Sequence, residues 1–126
     1  MRARDRDAPG YAGARFGVEN GLVGIGDTPG DKGGRMLSRF VDLPEGTFVW
    51  TRTGDDEYHL GRIAGPHRHD EHAEAGIVHV RPARWLAVKP ADVPDAVKAT
   101  FARGGRNLQR THDHAAERAS AALWQR

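Results

Sequence analysis

The chain has 126 residues, which suits one domain with a modest core, and 38% of them are hydrophobic. Sixteen glycines and seven prolines predict many turns and favour short strands over long helices. The absence of cysteine excludes disulfide scaffolds, thiol nucleophiles and cysteine-ligated zinc. The N-terminal segment lacks the apolar core of a signal peptide, and no apolar run approaches the roughly 20 residues of a membrane helix. We therefore expect a cytoplasmic protein with no membrane partner.

The charge is divided unevenly along the chain. Residues 1–60 carry eight basic and ten acidic side chains, a net charge of −2, whereas residues 61–126 carry eleven and seven, a net charge of +4. Arginine supplies most of the positive charge, since only three residues are lysine. Arginine binds phosphate through paired hydrogen bonds and stacks on bases, so this bias favours a nucleic-acid partner. A high-GC genome would produce the same bias, and composition alone leaves both explanations open.

The first third of the chain predicts one strand and one helix. Residues 1–14 mix arginine, aspartate, glycine and alanine without periodicity, which predicts a flexible N-terminal arm. A short buried strand follows over residues 22–26, and the glycine-rich residues 28–34 predict a loop. Residues 35–43 place apolar side chains at helical spacing, which predicts a short helix.

The middle of the chain predicts three strands. Residues 46–52 and 58–65 are rich in strand-forming residues and flank a turn at 53–57, which is the pattern of a hairpin. Residues 76–88 give the clearest strand pattern of the chain. We expect this strand to bend at Pro82, because proline cannot donate a hydrogen bond to a sheet ladder.

The last third predicts two helices. Residues 93–105 have a proline in the first turn and an apolar i, i+4 stripe, and residues 111–126 are rich in alanine. The order of elements predicts an α+β fold in which residues 15–126 form one domain. In this fold, helices pack against a small, curled, mostly antiparallel sheet.

The stretch "GPHRHDEH" at residues 65–72 concentrates histidine beside two carboxylates. Its three histidines and Asp70 could ligate zinc, but zinc ligands usually lie on rigid elements, whereas this segment predicts a solvated loop between strands. His112 and His114 could act as acid and base, although such residues also collect at helix N-termini for capping. No nucleophile elbow or phosphate-binding glycine loop is recognisable. We therefore predict a non-enzymatic protein with no catalytic residue, no metal and no cofactor.

Three aromatic side chains lie on neighbouring predicted strands, namely Trp50, Tyr58 and Trp85. If the sheet curls, these rings can converge beside Arg81 and Arg84. Aromatic walls with arginines at the rim would stack a nucleic-acid base and hold its phosphates. The alternative is that the tryptophans are ordinary core residues.

The order of motifs along the chain is more specific than any single motif. "GLVGIGD", "GTFVWTR", "YHLGRIAGPHRHD" and "GIVHVRPARWLAV" are followed by "VP" and "NLQR". In this order they resemble the EVE and YTH-like domains of the PUA superfamily, relatives of which form the N-terminal domains of modification-dependent restriction proteins. The resemblance covers about residues 15–111. It implies a small β-barrel, PUA-like, with peripheral helices, which binds nucleic acid and holds one modified base in an aromatic pocket.

The resemblance implies a reader of modified bases in double-stranded DNA, with 5-methylcytosine or a related base as the expected target and base flipping as the mode of access. Several relatives have a tryptophan where this chain has Asp27, whose carboxylate can accept a hydrogen bond from the N4 amino group of cytosine. The position after "GP", which is often aromatic in relatives, is His67. The segment that contains it would contact phosphates or a groove.

The predicted base-binding residues are Trp50, Tyr58, Trp85 and Asp27. The predicted contacts to the nucleic-acid backbone are Arg68, Arg81, Arg84, Arg110, His67 and His69. Any cleavage would need a separate nuclease or effector chain, and association with the nucleoid fits a DNA partner. Two alternatives stay open: a YTH-like RNA reader, and a histidine-dependent metal hydrolase or nuclease.

Overall fold

The computed structural model describes residues 4–26, 30–102, 109–110 and 114–125, with side chains described from Tyr11 onward except at Lys32, Gln109 and Arg110. Four helices and six strands lie within these ranges. They are α1 (Arg4–Asn20), β1 (Leu22–Ile25), α2 (Gly30–Asp42), β2 (Phe48–Gly54), β3 (Glu57–Ile63), β4 (Arg68–His72), β5 (Ile77–Val88), α3 (Asp95–Ala102), β6 (Gln109–Arg110) and α4 (His114–Gln125). Single 3-10 turns lie at Ala73–Ala75 and Pro90–Asp92. No helix among these described ranges is long and apolar enough to cross a membrane.

All strand pairings are antiparallel, and the strands follow the order β1-β5-β3-β2-β6, with β4 also paired to β5. The sheet curls into a half barrel, which confirms the predicted α+β class and the curled antiparallel sheet. The predicted hairpin and the long strand are present as β2, β3 and β5. The helices predicted over residues 93–105 and 111–126 contain α3 and α4.

The long strand β5 changes partners in its middle. Its first half pairs with β1 and β4, and its second half pairs with β3 from Ala83 to Val88. Pro82 lies at this change, opposite Leu22 of β1. Its carbonyl accepts a hydrogen bond from Ala64 N at 2.9 Å. Proline, which has no N–H to donate, therefore lies where β5 changes its hydrogen-bonded neighbour from β1 to β3.

The register separates the side chains of the sheet into two faces, because consecutive residues of a strand point to opposite sides. Trp50, Leu60 and Leu86 lie opposite one another on adjacent strands and define the Trp50 face. Trp85 lies opposite Gly61 and defines the Trp85 face. Side chains of α3 and α4 pack on the Trp50 face, whereas those of α2 pack on the Trp85 face.

Trp50 ties helix α4 to the sheet. Its side chain is 1% exposed, and its Nε1 donates a hydrogen bond to Ser120 Oγ at 3.0 Å. Ser120 in turn donates to the carbonyl of Ala116 at 2.8 Å. The indole N–H is therefore satisfied inside the core, as a buried tryptophan requires.

Three segments predicted to be irregular are regular in the structure. The flexible arm predicted over residues 1–14 is helical from Arg4, and the loop predicted over residues 28–34 is helical from Gly30. The histidine segment is strand β4 instead of a solvated loop.

Packing accounts for the two helical differences. Helix α1 packs through small residues, with Ala14 buried and Gly17 so close to Leu22 that a Cβ would lie 2.5 Å from its carbonyl oxygen. Such contacts leave no apolar periodicity in the sequence. In α2, the buried Gly33 lies two turns before the buried Phe40, so packing outweighs the low helix propensity of glycine.

We expect Trp50→Ala to destabilise the whole protein, because it removes a fully buried indole and leaves Ser120 Oγ without its donor. The free energy of unfolding should fall by about 3–5 kcal/mol, measured by urea denaturation followed by circular dichroism. Trp124→Ala is the matched control, since Trp124 is only partly buried at the end of α4 and should cost clearly less. A Trp50→Ala protein as stable as the Trp124→Ala protein would contradict the core assignment.

Candidate functional site

Three histidines from β4, β5 and the turn before β4 meet near one end of the sheet. His69 lies directly opposite His79 in the β4–β5 ladder, with ring centroids 5.3 Å apart. His67 Nε2 and His79 Nδ1 lie 3.0 Å apart and share a hydrogen bond. His79 is buried, His67 is half-buried and His69 is exposed. We call these three residues the histidine cluster.

The buried arginine beside the cluster fixes the turn that carries it. Arg81 is 3% exposed, and its Nε donates to the carbonyl of Gly65 at 2.9 Å. Its Nη1 donates to the carbonyls of Phe40 at 2.9 Å and Leu43 at 2.6 Å, at the end of helix α2. One guanidinium therefore joins the Gly65–Pro66 turn to the C-terminal end of α2, where unpaired carbonyls favour a cation.

The surroundings of His67 favour its neutral form, because they lower its pKa. Burial lowers the pKa of His67, and the neighbouring His79, His69 and Arg81 lower it further. In the His67–His79 pair one ring donates and the other accepts, which neutral imidazoles can do and two imidazolium ions cannot. His67 thus offers an aromatic surface and ring nitrogens in a surrounding that favours its neutral form.

The exposed side of β4 carries its own ion pairs. Arg68 contacts Asp70 at 3.2 Å, and the other carboxylate oxygen of Asp70 lies 3.2 Å from His72 Nε2. The hydrogen bonds from His72 and Arg68 lower the pKa of Asp70. Exposed pairs of this kind add little stability. They do neutralise part of the charge of Arg68, one of the predicted phosphate contacts.

The three predicted base-binding aromatics do not converge. Trp50 and Tyr58 belong to the core cluster of the Trp50 face, and the ring of Tyr58 packs on Phe101 with centroids 6.1 Å apart. Trp85 lies on the opposite face, where its Nε1 donates to the carbonyl of Leu22 at 3.0 Å. The prediction of a shared aromatic pocket is therefore wrong, because the register places the rings on two faces.

Two predicted residues lie in or beside parts of the chain that the structure leaves undescribed. Asp27 is outside the described residues, although Ile25, two positions earlier, pairs with His79. Arg110 pairs through its backbone with Val49, and its side chain is outside the described part.

The predicted arginine contacts have different environments. Arg81 is 3% exposed and bonds backbone carbonyls through Nε and Nη1, which contradicts its prediction as a phosphate contact. Arg84 is exposed and lies opposite Arg62 on the Trp50 face. The guanidinium of Arg62 lies 5.0 Å from the ring centroid of Phe48 and donates to the carbonyl of Gly46.

Sequence reasoning missed His79 and a pair of arginines on α2. In "IVHVRP", strand alternation places His79 on the face of Arg81, which is a recognisable signal. Arg35 and Arg39 are exposed at i, i+4 spacing and line an open cleft of about 670 Å³ together with Gly30, Asp31, Gly34 and Ser38. Helix α2 packs on the same sheet face as the histidine cluster. The rings of Phe40 and His67 meet edge to face, with their centroids 6.4 Å apart.

Among the side chains that the structure describes, no group of three or more histidine, cysteine, aspartate or glutamate residues is arranged to hold a metal ion. The two nearest ring nitrogens of the cluster are bonded to each other. A second cleft, of about 530 Å³, is lined by Tyr58 and its neighbours at the turn end of the β2–β3 hairpin, namely Glu57, His59, Ala87, Val88 and Lys89.

Comparisons of the chain with protein-family models, with curated proteins and with solved structures find no match. The resemblance to EVE and YTH-like domains therefore stays a prediction that rests on the order of the motifs.

We expect Arg81→Lys to destabilise the protein although it keeps the charge. An ammonium group cannot span the carbonyls of Gly65, Phe40 and Leu43, and each hydrogen bond to a charged group is worth about 1.5–3 kcal/mol. The loss should therefore be about 1.5–3 kcal/mol or more in urea denaturation. Arg84→Lys, an exposed arginine on the same strand, should change stability by less than about 0.5 kcal/mol. Equal stability of the two variants would refute the anchoring role.

We expect the free energy of unfolding to fall as the pH is lowered from about 7 to about 5. Folding lowers the pKa of His67. It also lowers the pKa of His59, because the effect of burial exceeds the opposing effect of Glu57. As the pH falls, the unfolded chain therefore binds these protons first, near pH 6.5. Stability is therefore complete above about 6.5 and is lost as the pH falls towards the folded pKa values. Denaturation at pH 7, 6 and 5 measures the slope, and His67→Gln should flatten it. A wild-type stability that stays constant or rises on acidification would contradict the direction.

Proposed function

We propose that this chain is a non-enzymatic reader of a modified base in double-stranded DNA, and that the base is 5-methylcytosine or a related modified cytosine. The observation that carries the proposal is that two of the segments that resemble EVE and YTH-like domains both pair with one residue, His79. Ile25, at the end of "GLVGI", pairs with His79 from one side, and His69 of "GPHRHDEH" pairs with it from the other.

The histidine cluster has the chemistry that a base requires. Imidazole rings stack on bases, and a neutral ring carries both a hydrogen-bond donor and an acceptor for a base edge. His67 and His69 are accessible, whereas His79 is buried and holds His67 in place through the 3.0 Å bond. In this proposal the histidines replace Trp50 and Tyr58 as the base-contacting residues.

The charges around the cluster suit a nucleic-acid backbone. Arg35 and Arg39 are exposed on α2, the helix that packs on the same sheet face as the cluster. They would hold phosphates while the histidines contact the base, since phosphate contacts position a protein and base contacts specify the sequence. Arg68 and Arg84 project from the Trp50 face, because Arg68 lies opposite Val80, which shares its face with Arg84. They would contribute long-range attraction.

Fluorescence anisotropy with matched duplexes tests the proposal. The duplexes carry cytosine, 5-methylcytosine, 5-hydroxymethylcytosine or N6-methyladenine at one position, at a fixed salt concentration. We expect tighter binding to a modified-cytosine duplex. His67→Ala should weaken that binding about five-fold to more than a hundred-fold, because a stacking contact is worth about 1–3 kcal/mol. Binding to the unmodified duplex should hardly change.

Two control variants separate base from backbone contacts. His114→Ala removes an exposed histidine on α4, away from the cluster, and should bind as the wild type does. Arg39→Gln should weaken all duplexes alike and reduce the slope of log affinity against log salt by about 0.9. Equal binding of the wild type to every duplex would refute the reader function. Tighter binding to a methylated single-stranded RNA would assign the site to the RNA alternative.

A further inference from the structure

The second half of β5 forms an open edge of the sheet. β1 pairs with β5 only as far as Pro82, and one more hydrogen bond joins Ala83 N to the carbonyl of Gly21 at 2.9 Å. From residue 84 to residue 88, β5 is paired with β3 on its other side, and no strand of the described ranges lies against the free side. Open edges of this kind are templates for another strand.

The backbone groups at this edge follow from the hydrogen bonds on either side. In an antiparallel strand, the N–H and C=O of alternate residues point to the same neighbour. Ala83 N is directed to the β1 side, whereas the Pro82 carbonyl is directed to the β3 side. The N–H and C=O of Trp85 and of Ala87 are therefore directed to the free edge, where no described residue pairs with them.

The exposed side chain between these two residues is apolar. Leu86 is 38% exposed and is one of two large hydrophobic residues with such exposure among the described side chains. It lies at the end of the row Trp50, Leu60 and Leu86, whose other two members are almost fully buried. The apolar row of the core thus continues to the sheet edge and stops in solvent.

We propose that residues 84–88 are a self-association site, at which two copies of the chain pair antiparallel about a twofold axis through Leu86. In this register Trp85 of one copy faces Ala87 of the other, and each such pair exchanges two backbone hydrogen bonds. The two Leu86 side chains lie opposite each other at the axis, so the row Trp50, Leu60 and Leu86 runs without interruption from one core to the other.

The segment is complementary to itself in charge as well as in backbone pattern. The same register places Arg84 opposite Val88 of the second copy, whereas Lys89 lies beyond the end of β5 and outside the paired segment. Neither cation meets its own kind directly across the pair, which would be destabilising. Arg84 and Lys89 also differ by an odd number of positions, so they project from opposite faces of the joined sheet. This symmetry is the reason why a second copy fits the edge.

The expected association is weak and reversible. An edge pairing over five residues buries much less than the roughly 1,200 Å² of a standard stable interface, so dissociation constants above about 1 μM are expected. The proposal does not rest on the proposed DNA function, and its test needs no nucleic acid.

Sedimentation equilibrium from about 10 μM to about 1 mM tests the proposal over the range in which a weak dimer becomes populated. The weight-average mass should rise from the 13.8 kDa of the single chain towards twice that value. Leu86→Lys places two ammonium groups at the axis and should keep the protein monomeric throughout. Val41→Lys is the matched control, because Val41 is 40% exposed on α2 and receives the same charge, and it should associate as the wild type does.

A wild type that stays monomeric at 1 mM overturns the proposal, as does a Leu86→Lys protein that associates like the wild type. Amide hydrogen exchange of the wild type gives a second measurement that does not depend on a variant folding. Exchange at Trp85 and Ala87 should slow at least two-fold between dilute and concentrated samples, while that of Thr51 in β2 should not change. Association without protection of these two amides would place the interface elsewhere and refute the edge.

Discussion

The Arg81 guanidinium determines the geometry of the candidate site. It is a buried cation whose hydrogen bonds go to main-chain carbonyls, one in the Gly65–Pro66 turn and three at the end of α2, those of Phe40, Val41 and Leu43. A buried charge without such partners would be costly, so the turn and the helix end have to meet at this side chain. The positions of His67, directly after the turn, and of Phe40, in the last turn of α2, follow from that meeting. The guanidinium of Arg81 thus has a structural role, and its removal would destabilise the Gly65–Pro66 turn and the end of α2 together.

The two tryptophans of the sheet, Trp50 and Trp85, stabilise the fold. Trp50 joins α4 to β2, whereas Trp85 covers Gly61 on the neighbouring strand and bonds the Leu22 carbonyl of β1. Any Cβ at position 61 would lie 2.6 Å from the Trp85 ring, so this crossing needs glycine. Because both indoles are engaged on opposite faces, the proposed base recognition falls to other aromatic groups. The imidazoles of His67 and His69 are accessible aromatic groups beside the buried His79.

The elements with strong periodicity could be predicted from the sequence, and those held by small or polar residues could not. Strands β2, β3 and β5 follow from alternating β-branched and aromatic residues. Helix α1 was missed because it packs through Gly13, Ala14 and Gly17, which have no hydrophobic pattern. Strand β4 was missed because its residues are all polar, and only their pairing with β5 makes them a strand.

The candidate site was predicted in part, because its geometry depends on register. The segment around His67 and His69 was selected from composition. The aromatic pocket failed because a sequence does not show that Trp50 lies beside Leu60 while Trp85 lies beside Gly61. Arg81 and Arg84 differ by three positions along one strand, so alternation alone separates them into opposite faces. The two arginines therefore could not both have lined one pocket, and their spacing in the sequence is enough to show it.

The hydrogen bond between His67 and His79 also couples the protonation of the two remaining ring nitrogens, His67 Nδ1 and His79 Nε2. It joins His67 Nε2 to His79 Nδ1 and holds a single proton. When that proton belongs to His67, the neutral His67 ring has a lone pair at Nδ1, and His79 has its own N–H at Nε2. When the proton belongs to His79, the two remaining nitrogens exchange roles. The hydrogen-bonding role of His67 Nδ1 is therefore coupled to that of His79 Nε2, and a change in what His79 Nε2 contacts can convert His67 Nδ1 from acceptor to donor without moving a heavy atom.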